Sequence, residues 1–222
     1  TRYIGVTGVQ TCALPIFRFV AGLKAQTNEK ELLPAVADGP GETARFHGMH
    51  DLCFSDGEKA LLIADTFNHR IRKVDLKSGQ VSTVVGTGKP GYNGNSQRAS
   101  NAQLNLPICI SAAPKAGQFW ITDLANQRVR TYDERDGKVY DTVGNGQKGK
   151  VTEGAAPTDS PLNGPRATTG DASSIWVVLR EGNSLVQAQG THLKTILNGS
   201  GKGGYHEGPA LFDVHLNGPK FL

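Results

Sequence analysis

Apolar residues along this chain come in runs of about five, divided by Gly, Asn, Asp and Pro. That spacing is the punctuation of strands and turns, and no stretch carries the period of an amphipathic helix. In the clearest region the runs predict strands near Asp51–Phe54, Ala60–Ala64, Ile71–Asp75 and Val81–Val85. The next set falls near Ile108–Ser111, Phe119–Thr122, Val129–Tyr132 and Val139–Val143. Four short antiparallel strands per unit is the pattern of a propeller blade.

The two sets are copies. "ADTFNHRIRKVD" from Ala64 returns as "TDLANQRVRTYD" from Thr122, and Asp65 to Asp123, Asn68 to Asn126, Arg70 to Arg128 and Gly86 to Gly144 keep one interval of 58 residues. A third, looser copy contains "WVVLREGNSL" from Trp176. Counted from the strings alone, Asn183 aligns with Asn126, Arg180 stands where the Asp was and Leu185 where the Arg was. The motif D-x-x-N-x-R joins the second and third strands of a unit and suits a tight hairpin. Asn tolerates a left-handed backbone, and Asp65 or Asp123 can accept bonds from turn amides or from the guanidinium of Arg70 or Arg128. Asp65, Asn68, Arg70, Asp123, Asn126, Arg128 and Asn183 are therefore expected to make the fold rather than perform chemistry. A catalytic Asp/His pair in "DTFNH" is disfavoured because Gln127 replaces His69 in the next copy.

With those residues in view, Leu61–Gly94 and "LNLP" at Leu104–Pro107 resemble the NHL-repeat β-propellers, and "VVLREGNSL" is similar to bacterial members near the gluconolactonase and LRE-like propellers. The resemblance runs from about Phe17 to Leu222. It implies an all-β chain that is part of a ring of usually six blades: a closing strand at Phe17–Ala21, blade units at about 46–85, 104–143 and 162–197, and the start of a further blade at 211–222. An incomplete ring is expected to expose blade faces and to self-associate through them.

Glycines at 86, 88 and 91, at 144, 146 and 149, and at 199, 201 and 204 match the dinucleotide fingerprint. The fingerprint requires a helix N-terminus to hold the pyrophosphate, and turn formers follow here instead. Residues 1–16 stand apart: "VTGVQTCALPI" at Val6–Ile16 is similar to the translation of a stock sequencing adapter, so the segment is expected to be non-native and is set aside with Cys12. Cys53 and Cys109 lie in apolar runs without C-x-x-C spacing and read as small buried hydrophobes.

A net charge of +4 from 24 basic and 20 acidic residues spread along the chain gives no polybasic tail, and no apolar run is long enough for a membrane-spanning helix. Arg70, Arg72, Lys73 and Lys77 form a local basic cluster but lack interleaved aromatics, which argues against nucleic acid as a partner. The six histidines show no ligand spacing, so no cofactor is evident, and a divalent metal enters only under a lactonase-type hydrolase reading implied by the resemblance. The connectors Gly22–Arg45, Lys89–Gln103, Gln147–Pro161 and Lys202–Val214 are expected to gather on one face. Tyr92, Asn93, His206 and Glu207 are their candidate ligand residues. The leading expectation is a binding or scaffold module for a protein, glycan or small molecule; the alternatives are that hydrolase and an RNA-binding NHL domain. A bacterial periplasmic, secreted or envelope location is implied by the resemblance alone.

Overall fold

A computed structural model describes residues 20–22, 36–55, 57–204 and 216–219. The adapter-like segment, most of the expected closing strand at Phe17–Ala21, and most of 211–222 lie outside the described residues.

The apolar runs form three consecutive antiparallel sheets. The first comprises β1 (Gly39–Pro40), β2 (Met49–Ser55), β3 (Ala60–Asp65), β4 (Arg70–Asp75) and β5 (Gln80–Val85), in the order β1-β5-β4-β3-β2. The second comprises β6 (Gln97–Arg98), β7 (Pro107–Ala112), β8 (Gln118–Asp123), β9 (Arg128–Asp133) and β10 (Lys138–Val143), in the order β6-β10-β9-β8-β7. The third comprises β11 (Pro165–Gly170), β12 (Ser174–Leu179), β13 (Ser184–Gln189) and β14 (His192–Leu197), paired in sequence order. Each expected strand sits inside an observed one, and every strand of the second sheet begins 58 residues after its counterpart in the first. The described residues form three blades of a β-propeller, and helical turns among them are limited to short 3-10 segments.

The connectors before the first two blades each lay a two-residue strand outside the last strand of the blade they enter: Gly39 pairs with Val81, and Gln97 with Val139. The outer edge of each blade is thereby covered, which removes a row of unpaired amides from solvent. In the third blade the same place is held by two backbone bonds, Gly154 N to Leu193 O (2.8 Å) and Leu193 N to Ala155 O (2.9 Å), and by Glu153, which accepts the Thr195 amide (3.0 Å).

The packing explains why the strand sequences are runs rather than strict alternations. In the first blade, Leu62, Ala64, Ile71 and Val85 face Ile110, Phe119, Ile121, Tyr132 and Val139 of the second. From the other side of the second blade, Trp120, Val129 and Val143 meet Val177, Val186, Ala188 and Leu193 of the third. A strand with both faces covered buries nearly every position, so β8 reads FWIT, all four buried.

Candidate functional site

The hairpins between the second and third strands of each blade tie one blade to the next. Asp65 and Asp123 are fully buried. Asp65 accepts the His47 amide (2.7 Å), the Asn68 side-chain amide (2.9 Å) and Arg72 Nη1 (2.9 Å). Asp123 accepts the Asn105 amide (2.7 Å) and the Asn126 side chain (2.8 Å), with Arg130 Nη1 at 3.8 Å. The guanidinium that meets the aspartate is therefore the second arginine of R-x-R, not Arg70 or Arg128. The two arginines lie two positions apart on a regularly paired strand; the second is fully buried inside the blade, while the first stands at the strand's start beside the connector.

Arg70 and Arg128 act elsewhere. They donate to Thr87 O (2.8 Å) and Gly144 O (3.0 Å) and so bind the glycine-rich connector. A side chain at Gly88 would place its Cβ 2.5 Å from the Arg70 guanidinium, and one at Gly146 would stand 2.8 Å from that of Arg128. Both glycines also have left-handed φ, +83° and +89°. The repeated G-x-G is thus the floor under an arginine.

The left-handed hairpin residue is His69, Gln127 or Asn183, one place beyond Asn68 and Asn126 in the first two blades. Each reaches into the start of the following blade and accepts an amide there: Leu106 N to His69 Nδ1 (3.1 Å), Gly164 N to Gln127 Oε1 (2.9 Å) and Gly218 N to Asn183 Oδ1 (2.8 Å). This contact fixes the third-blade register. Asn183 is the counterpart of His69 and Gln127, while Leu179 holds the aspartate position and Ser184 that of the first arginine. Counting strings missed this by one residue because the third blade is shorter between its first two strands. His69 is a structural acceptor, and its burial and the charge of Arg70 lower its pKa below 6.5, which keeps it neutral for that purpose.

The candidate ligand residues of the connector are engaged internally. The Tyr92 ring lies 4.2 Å from the Arg128 guanidinium carbon and 5.1 Å from that of Arg130, and its hydroxyl donates to Asp141 (2.6 Å). Asn93 bridges Asn101 O (2.8 Å) and Gln103 N (2.9 Å). His206 and Glu207 lie outside the described residues. The basic cluster does not share a face: Arg72 is fully buried on Asp65 and Asp38, Arg70 sits on its connector, and Lys73 pairs with Glu134 at 3.2 Å.

A cleft of about 330 Å³ lies where the innermost strands β2, β7 and β11 meet. Its walls are stitched from blade to blade. Asp51 accepts the Ile110 amide (3.0 Å), Thr66 donates to Pro107 O (2.7 Å), and Ser111 donates to Thr168 O (2.7 Å). The thiols of Cys53 and Cys109 are each pushed up to about 12, by burial and then by Asp51, so they stay protonated and unreactive. They are free cysteines. Arg166 also lines the cleft and makes no hydrogen bond or ion pair within the described residues; burial and Arg180 lower its pKa, and Glu181 offsets them. Among the described residues no three His, Cys, Asp or Glu side chains are grouped to hold a metal ion, and no helix is long and apolar enough to cross a membrane.

No family model matches the chain. Over 102 residues, 46% of its length, it is 32% identical to the protein Suppressor of quenching 1, chloroplastic, of Arabidopsis thaliana. Over 96 residues, 43% of its length, it is 25% identical to NHL repeat-containing protein 2 of Homo sapiens. Those stretches span 9% and 13% of the two relatives. Among solved structures, a protein of unknown function from Bacteroides thetaiotaomicron superposes with a TM-score of 0.62 over 79% of this chain and 42% of that one, at 14% identity. Sequence likeness to an NHL-repeat protein and the observed blades together identify an NHL-like propeller fold.

Proposed function

We propose that the chain is the ligand-binding part of a propeller protein and that its innermost strands recognise a small anionic molecule. The observation that carries this reading is Arg166, an unpartnered guanidinium lining a preformed cleft whose walls are joined from blade to blade by Asp51 and Ser111. A guanidinium offers planar, paired donors to a carboxylate or phosphate, and a site whose walls are tied together loses little freedom on binding. The protonated thiols supply no nucleophile at this cleft, which favours recognition over covalent chemistry.

Titration with citrate and with inorganic phosphate, followed by calorimetry, tests the proposal. Arg166→Gln is expected to weaken binding at least about tenfold, the loss of one charge-assisted contact, with the unfolding temperature preserved. Equal affinity in the variant would remove the cleft from consideration.

A further inference from the structure

One departure of the third blade from the second opens a cavity. In the second blade the space between hairpin and connector is filled: the Tyr92 ring stacks on Arg128, Asp141 receives the Tyr92 hydroxyl, and Arg130 donates to Gly94 O (3.0 Å) and Gln103 O (3.2 Å). Aligned by strand starts, the third blade has Ser184 for Arg128, Val186 for Arg130, Leu179 for Asp123 and Thr195 for Asp141. The connector aligns as well, since Gly149 donates to Leu162 O as Gly91 does to Leu104 O, and Lys150 stands for Tyr92. Leu179 and Val186 fill the inner part of the space as core. The outer part stays open, with a volume of about 210 Å³, lined among others by Lys150, Asn163, Ser184, Thr195 and Ser200.

The cavity holds one unmet bond. Asn163 Oδ1 is buried without a hydrogen-bond partner, an acceptor waiting for a donor. Its surroundings are held in place: Asn198 donates to Asn183 O (2.7 Å) and Lys202 O (2.8 Å), and the Thr195 amide donates to Glu153 (3.0 Å). Lys150 brings the positive charge at the rim.

We infer that this cavity, where the arginine and tyrosine staple is missing, binds a small carboxylate that carries a neighbouring hydroxyl or amino group. The donor meets Asn163 Oδ1, the hydroxyls of Ser184 and Ser200 line its path, and the carboxylate meets Lys150. The volume lies below the roughly 300 Å³ at which drug-sized sites begin, which selects a compact metabolite over a peptide or an oligosaccharide.

The experiment titrates glycolate and L-serine into the chain and follows amide shifts of Gly182, Gly199 and Gly201, with acetate, glucose and methylguanidinium as controls. Ser184→Arg restores the second-blade residue and fills the space, so it is expected to abolish these shifts while raising or preserving the unfolding temperature. Lys150→Gln is expected to weaken binding at least tenfold. Arg166→Gln is expected to leave the shifts intact, which separates this site from the axial cleft. The inference is overturned if neither probe moves these amides, if acetate, glucose or methylguanidinium binds as well as they do, or if Ser184→Arg binds like the parent.

Discussion

His69 can accept the Leu106 amide only while its imidazole is neutral, so this contact between blades depends on pH. Its pKa in the fold lies below the ordinary 6.5, so the unfolded chain takes up the proton first as the solution is acidified. Stability contributed by this group is present above about pH 6.5 and is lost as pH falls from there toward the folded value. His69→Gln, which installs the second-blade residue, should remove that loss; the gap between variant and parent in thermal unfolding should shift in favour of the variant between pH 7 and pH 5. Asp123 runs the other way. Its burial raises the pKa from 3.8 to about 7, so stability declines as pH rises through that window. The buried pairs give a second test at this scale. Arg130→Val removes the cation shared by Asp123 and Asp141 and, at pH 8 where Asp123 is ionised, should cost about 3–5 kcal/mol. Asp123→Leu with Arg130→Val reproduces the third blade and should cost less than the single change in denaturant unfolding.

At the scale of the element, the glycine-rich connector is shaped by what lies on it. Gly88→Ala forces a side chain against the Arg70 guanidinium on a left-handed backbone, whereas Gly137→Ala meets nothing within 4 Å at a φ of +66°. Both variants strain the backbone by about 1 kcal/mol or more, and only the first also displaces an arginine, so Gly88→Ala should lower the unfolding temperature further. Strands and hairpins were legible in the sequence because local rules dictate them: runs such as LLIA and FWIT and the copied D-x-x-N-x-R motif each mark a strand or turn by themselves. Which arginine meets the aspartate was not, because the two lie two positions apart on one strand and only the packing around each distinguishes them. Nor was the third-blade register, where Asn183 looks like Asn126 in the string but makes the contact of Gln127 in space. The cavity beside Ser184 escaped the sequence reading for a related reason: a missing side chain shows only when the blades are superposed.

For the molecule as a whole, equivalent positions have unlike surroundings. Ile110 in β7 is 1% exposed because the first blade covers it, while its counterpart Leu52 in β2 is 54% exposed on the face turned away from the second blade. Phe54 on the same strand is 53% exposed. Such apolar surface favours association, so the chain should sediment as more than a monomer at micromolar concentration, and Leu52→Lys with Phe54→Lys should shift it toward monomer without loss of the far-ultraviolet strand signal. Ile110→Lys, the same chemistry one blade later, should unfold the chain instead.

The acceptors at His69, Gln127 and Asn183 each clasp an amide 35 to 37 positions further along. During synthesis, then, a turn already outside the ribosome waits for well over half of another blade's polypeptide before it is latched, and the row of blades is assembled like a zip, each tooth engaging only when the next arrives.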